Sequence, residues 1–137
     1  MKNSFSFSVA AFLALTPLSA LAVSWSNCAD ASLMDVTSVT VSPDPVRAGT
    51  EAAFKITGDH EVDITGGTLK VSVEAFGMNV YNESGPLCSQ QDCPLLAGTS
   101  TLSFSNDMPS FLPSSTYTTF EGVTDNGDVI FCTKIKL

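Results

Sequence analysis

The chain has 137 residues, with 14 Asp and Glu against 6 Lys and Arg, and a formal net charge of −8. That length suits one domain with its own core. The acidic balance argues against nucleic acid, whose phosphates need clustered Lys and Arg, and against electrostatic docking on anionic membranes.

Residues 1–22 read as a secretory leader. Lys2 supplies a short positive start, residues 9–15 an apolar core, and Ala20-Leu21-Ala22 the small-x-small pattern cut by signal peptidase. The apolar stretch, broken by Pro17, is too short to span a bilayer comfortably. A retained N-terminal anchor is the alternative. Cleavage after Ala22 leaves residues 23–137 as one mature domain.

From there strand signals recur and nothing reads as a long helix. Residues 24–28 form a short first segment; residues 36–41 are β-branched and stop at Ser42-Pro43-Asp44-Pro45, whose prolines cannot continue a ladder. Gly49 turns the chain into 52–57, where apolar positions alternate, and Gly58, Asp59 and His60 are expected to end that strand. Val62 and Ile64 form a short strand or rim. Gly66-Gly67 leads into 68–76, the strictest alternation: Leu69, Val71, Val73 and Ala75 face one way, Lys70, Ser72 and Glu74 the other. A period of two describes a strand with one buried face. Residues 78–81 are followed by a polar stretch, 82–86, expected to be a loop. Residues 101–105 alternate again, and 108–113 form an apolar loop with two prolines. Residues 116–123 and 129–135 flank Asn126-Gly127, a strong hairpin signal. Seven or eight short strands predict an all-β fold, an antiparallel sandwich of immunoglobulin-like type.

Four cysteines in a chain bound for an oxidising compartment read as two disulfides. Cys88 and Cys93, with four residues between them, most simply pair with each other, which leaves Cys28 to join Cys132. A zinc site is the alternative, but this spacing without a nearby His does not suit the usual ligands.

Little here carries catalysis. His60 lies between Asp59 and Glu61 and reads as a solvated loop residue. Asp59, Glu61 and Asp63 alternate beside it without a calcium-loop pattern, so no metal is expected. No Gly-x-Ser-x-Gly elbow, P-loop or His-Glu-x-x-His motif occurs. Asn82-Glu83-Ser84 is an N-glycosylation sequon in the expected polar loop. Tyr117 suits either a sandwich corner or a surface role. Phe111, Leu112 and Pro113, with Met108 nearby, either plug the core or line an opening into it.

The combination of Asn27-Cys28, Val39-x-Val41 before Ser42-Pro43-Asp44-Pro45, Gly66-Gly67, Leu87-Cys88-x4-Cys93-Pro94-Leu95, Gly98 and Asn126-Gly127 before Phe131-Cys132 resembles the ML lipid-recognition domain family. The resemblance runs from about Val23 to Leu137. It looks closest to the plant and fungal phosphatidylglycerol/phosphatidylinositol transfer proteins, relatives of the Niemann–Pick type C sterol carrier and of group 2 mite allergens. It implies a sandwich whose sheets are splayed around a lipid pocket, and the pairings Cys28–Cys132 and Cys88–Cys93. This chain lacks the further cysteine pair that some relatives carry near Ser42 to Gly49. The pocket wall is expected from the apolar strand faces: Phe54, Ile56, Leu69, Val71, Val73, Ala75, Leu102, Phe104, Phe120, Phe131 and Ile135. By resemblance Phe111, Leu112 and Pro113 belong to its mouth.

Together these readings predict a secreted, non-enzymatic lipid-binding and transfer protein. It would carry a phospholipid (phosphatidylglycerol or phosphatidylinositol) or a sterol, as a monomer, without cofactor, making transient membrane contact. Its place is the extracellular space or the lumen of a vacuole or lysosome. The alternative is a recognition module with a filled core that acts through its outer surface; a secreted hydrolase is a third.

Overall fold

The computed structural model describes residues 23–137, so the expected leader lies outside the described residues. Eight strands follow in order: β1 (Trp25–Asn27), β2 (Met34–Ser42), β3 (Glu51–His60), β4 (Thr68–Ala75), β5 (Met78–Pro86), β6 (Gly98–Asp107), β7 (Tyr117–Val123) and β8 (Val129–Lys136). A single 3-10 turn, Leu87–Ser89, is the one helical element among the described residues. The strands form a five-stranded sheet, β1-β8-β7-β4-β5, and a three-stranded sheet, β2-β3-β6. Every pairing is antiparallel.

Alternation decides what lies between the sheets. Ala52, Phe54 and Ile56 of β3 point inward, as do Leu69, Val71, Val73 and Ala75 of β4, and all are buried. From β7 and β8, Phe120, Phe131 and Ile135 meet them. Phe120 packs on Phe54 at 4.9 Å between ring centroids and stacks on Phe104 at 5.3 Å, with Phe131 6.2 Å beyond Phe104. Tyr117, three residues before Phe120, takes the outer face, where Lys134 lies 4.9 Å from its ring centroid.

Several boundaries differ from those expected, three of them with consequences for the interior and its edge. β3 runs through Gly58 to His60, because Gly58 leaves room for Met34 of β2, whose Cγ would lie 2.5 Å from a Cβ there. His60 is consequently buried rather than solvated. β5 continues through the polar stretch to Pro86, so Asn82 sits on a strand and not in a loop. It pairs along its length with β4 while its side chains stay exposed, since a three-stranded sheet cannot cover all five strands of its partner. Such an edge strand is held by backbone bonds and leaves no hydrophobic pattern to read. Finally, β4 stops at Ala75, and Phe76 belongs to the turn.

Cys28 bonds to Cys132 and Cys88 to Cys93. The first joins the end of β1 to β8 within one sheet, where the Cys28 N–H also donates to the Cys132 carbonyl at 3.0 Å. The second closes the small loop that carries the chain from β5 toward β6.

Gly122 of β7 lies opposite Phe131 of β8, and a Cβ at Gly122 would sit 2.8 Å from the Phe131 ring. That ring is fully buried and cannot yield. Gly122→Ala should therefore destabilise the fold by about 1–3 kcal/mol, measured by urea unfolding.

Candidate functional site

The interior is bounded differently on its two sides. Where β2 meets β8, the Leu33 N–H donates to the Val129 carbonyl at 3.0 Å, tying the lead-in of one sheet to the other. On the opposite side, β5 and β6 face each other without pairing. Two adjoining clefts occupy that gap. One, of about 120 Å³, is lined by Leu69, Val71, residues 83–86, Ser89 and Gln90. The other, of about 230 Å³, is lined by Glu51, Tyr81, Glu83, Gln90, Ser105, Asn106 and Asp107. They share Glu83 and Gln90 and form one slot, whose inner end touches the core-facing side chains Leu69 and Val71.

The disulfide loop spans this slot. Gln91 lays its side-chain amide against the backbone of Ser103 on β6: its Nε2 donates to the Ser103 carbonyl, and its Oε1 accepts the Ser103 N–H at 3.2 Å. The amide thereby does for one residue of an open edge what a neighbouring strand would do. Leu87, fully buried, plugs the base of the loop, and its N–H donates to the Gly67 carbonyl at 2.9 Å.

The outer part of the slot is acidic. Glu51, Glu83 and Asp107 line it together, with no lysine or arginine among the lining residues. The Tyr81 hydroxyl donates to Glu83 Oε1 at 2.8 Å. That hydrogen bond, then burial, then the charges of Glu83 and Asp107 raise the Tyr81 phenol above its usual pKa.

All eleven residues expected to form an inner wall lie on the buried faces between the sheets. Nine of them pack in one cluster, with Val73 and Ala75 buried outside it; Phe54, Ile56, Leu102, Phe120, Phe131 and Ile135 have no exposed surface, and Phe104 stacks on Phe120. The sheets therefore meet in this structure, where a splayed pair around an open hollow was expected. Of the loop residues, Phe111 is exposed and Leu112 half-buried against the core, while Met108 is buried. Phe111 contacts Phe76 of the β4–β5 turn, with ring centroids 6.2 Å apart.

The interior also uses residues that sequence reasoning did not nominate. Met34, Val36 and Val39 of β2, together with Ala52, Leu87 and Ile130, complete it. Alternation in β2 was a usable signal for the first three. Two threonines gave none. Thr118 and Thr133 are polar yet fully buried on the inner faces of β7 and β8. Thr118 hydrogen-bonds the Ser72 carbonyl at 3.3 Å, whereas the Thr133 hydroxyl, opposite Phe120, has no partner.

The polar groups elsewhere are arranged for structure. His60 engages the Val62 carbonyl through Nδ1 and the Ser100 hydroxyl through Nε2, both at 2.8 Å, so neither nitrogen is free. Asp59 accepts from Thr99 and Asp63 from the Ala97 N–H, fastening β6 to the end of β3. Among the described residues no three His, Cys, Asp or Glu side chains converge as metal ligands.

Comparison with known proteins agrees with this fold. The family profile described as ML domain matches residues 22–137. A Dictyostelium discoideum chain provisionally named a phosphatidylglycerol/phosphatidylinositol transfer protein is 30% identical over 118 residues, covering 82% of this chain and 84% of its own. The phosphatidylglycerol/phosphatidylinositol transfer protein of Pyricularia oryzae is 30% identical over 107 residues, covering 73% of this chain and 60% of its own. Among solved structures, a Niemann-Pick type C2 protein from the Japanese carpenter ant superposes with a TM-score of 0.61 at 16% identity. That match covers 82% of this chain and 96% of the ant protein, and it shows the shared fold.

Two substitutions probe this interior. Thr133→Val removes an unpartnered buried hydroxyl at nearly constant shape and should raise stability by about 1 kcal/mol in thermal unfolding. Gln91→Ala should leave the Ser103 amide unprotected, read as faster hydrogen–deuterium exchange at that residue with the rest of β6 little changed.

Proposed function

This chain belongs to the ML domain family, and on that premise we propose that it is a secreted, monomeric lipid carrier. It takes one phospholipid or sterol between its sheets and releases it at another membrane, with no bond made or broken. The observation that carries this reading is the slot between β5 and β6, which reaches the buried Leu69 and Val71 from the surface. The names of the relatives support it, as does membership of a family of lipid-binding rather than catalytic domains.

Loading has a definite physical requirement. The inner faces touch, so the guest enters by parting them along the slot, with the β2–β8 side as the hinge. Exposed to water, those faces would cost about 25 cal/mol for each Å² uncovered. Against an acyl chain the cost vanishes, because each CH₂ transferred from water gains about 0.8 kcal/mol. Opening is therefore favoured in contact with lipid and disfavoured in solution.

The finer assignments follow from the same surfaces. Residues 1–22 direct secretion, in keeping with two disulfides and an oxidising destination, outside the cell or in a vacuolar or lysosomal lumen. Asn82 is exposed on β5, and a glycan there would leave the slot clear. The three carboxylates at the slot's outer end disfavour an anionic head group beside them and favour an uncharged one, a sterol hydroxyl included.

A second reading also has an observation behind it. The filled interior suits a recognition module that works through its outer surface.

Lipid uptake separates the two. Purified protein, extracted and analysed by mass spectrometry, should yield a bound lipid, and the delipidated protein should take up one fluorescent lipid per chain. Absence of uptake from both micelles and vesicles would establish the recognition module instead. Gly85 pairs with Leu69 at the slot's inner end, and a Cβ there meets nothing within 4 Å. Gly85→Phe should block the slot without unfolding the chain and slow uptake about tenfold, equivalent to roughly 1.4 kcal/mol on the barrier.

A further inference from the structure

Two buried side-chain atoms lack a hydrogen-bond partner among the described residues, Thr133 Oγ1 and Asn106 Nδ2. Thr133 lies deep on β8 and lines neither cleft of the slot. Asn106 lines the outer cleft. It follows Leu102 and Phe104 on the inward face of β6, opposite the fully buried Ala52 of β3, and buried Met108 comes next in the same alternation. An apolar side chain is what that face calls for. An amide there leaves a donor removed from water with nothing to receive it, at a cost in free energy that Leu or Met would avoid. A guest in the slot that brings its own acceptor removes that cost.

The surroundings decide which acceptor fits. Asn106 shares its cleft with Glu51, Glu83 and Asp107, and no lysine or arginine lines either cleft. A carboxylate or phosphate brought to Asn106 would add negative charge beside those three carboxylates, in a cleft partly screened from water. An uncharged oxygen meets no such penalty. Among uncharged groups an ester carbonyl can only accept. A hydroxyl accepts from Asn106 through its oxygen and also donates its proton to a neighbouring carboxylate. The Tyr81 hydroxyl already donates to Glu83 at 2.8 Å, so this rim takes O–H donors. Inward from the rim the slot becomes apolar at Leu69 and Val71, which requires the hydroxyl to end an apolar body.

We infer that Asn106 is the residue that reads the polar end of the guest: its Nδ2–H donates to the hydroxyl oxygen of a lipid alcohol, either a sterol or a long-chain alcohol. The acidic rim selects that hydroxyl over fatty-acid carboxylates and phospholipid phosphates. The inference rests on the carrier reading above and adds the specificity-determining residue and the chemistry it accepts. Recognition is by hydrogen bonds alone, so the alcohol leaves as it entered.

The test is displacement of the apolar dye phenylnaphthylamine from the purified, delipidated chain at neutral pH. Dodecanol should displace it at least about tenfold better than dodecyl chloride, which has the same tail without the hydroxyl, and than dodecanoate, which is charged. Cholesterol and cholestene, which lacks the hydroxyl, form a second pair; the pair with the larger hydroxyl preference identifies the body of the guest. Asn106→Leu should reduce that preference to about twofold or less. The same variant should melt at an unchanged or higher temperature, since it removes the orphan donor, and this separates lost recognition from lost folding. Glu51→Gln combined with Asp107→Asn should narrow the gap between dodecanol and dodecanoate. Three results would overturn the inference and leave the carrier reading standing: dye binding with no hydroxyl preference in either pair, a preference that survives Asn106→Leu, or dodecanoate bound as tightly as dodecanol. A chain that takes up neither the dye nor any of these lipids would overturn both.

Discussion

The two sheets are held to each other almost entirely by side chains. Ladder hydrogen bonds run within each sheet, and among the described residues none passes between them. What joins the halves is the packing of Phe54, Phe104, Phe120 and Phe131 with the aliphatic residues around them. Burial of each such side chain contributes about 1.5–3 kcal/mol and has no directional requirement. An interface of this kind is stable in water yet can be exchanged for another apolar surface without breaking backbone hydrogen bonds. That property connects the fold to lipid carriage.

The covalent and polar fastenings are placed so as not to oppose such an exchange. The Cys28–Cys132 bond lies within the five-stranded sheet and stiffens it without crossing the interior. The bond between Leu33 and Val129 holds the β2–β8 side together. On the β5–β6 side, by contrast, the gap is bridged by the amide of Gln91 on a small disulfide-closed loop. One side of the sandwich is thus tied through backbone and the other through a side chain, and the weaker one borders the slot. The loops at the two ends differ as well: those at one end carry Asp30, Glu61, Asp63, Asp92, Asp125 and Asp128, and those at the other expose Phe76 and Phe111.

Strand alternation predicted a sandwich of seven or eight strands and which strand faces are buried, because a buried face writes a period of two into the sequence. Leu69, Val71, Val73 and Ala75 are the clearest instance. The same logic was blind where burial was absent or where a polar residue was buried. β5 has no apolar rhythm because the smaller sheet leaves it uncovered, so residues 82–86 read as a loop. His60 read as solvated because its neighbours are acidic; two hydrogen bonds formed across the fold allow its burial. Thr118 and Thr133 carried no sign of their place.

What the sequence by itself determined was therefore which faces are apolar and which elements are strands. These are local properties, set by side-chain type and by the two-residue repeat of the pleat. Only the tertiary structure decided that the inner faces meet, that the gap opens between β5 and β6, and that Phe76 stands in a strained turn beside Phe111. Those outcomes depend on how many strands each sheet contains and on which distant segments are brought together. No window along the chain contains that information.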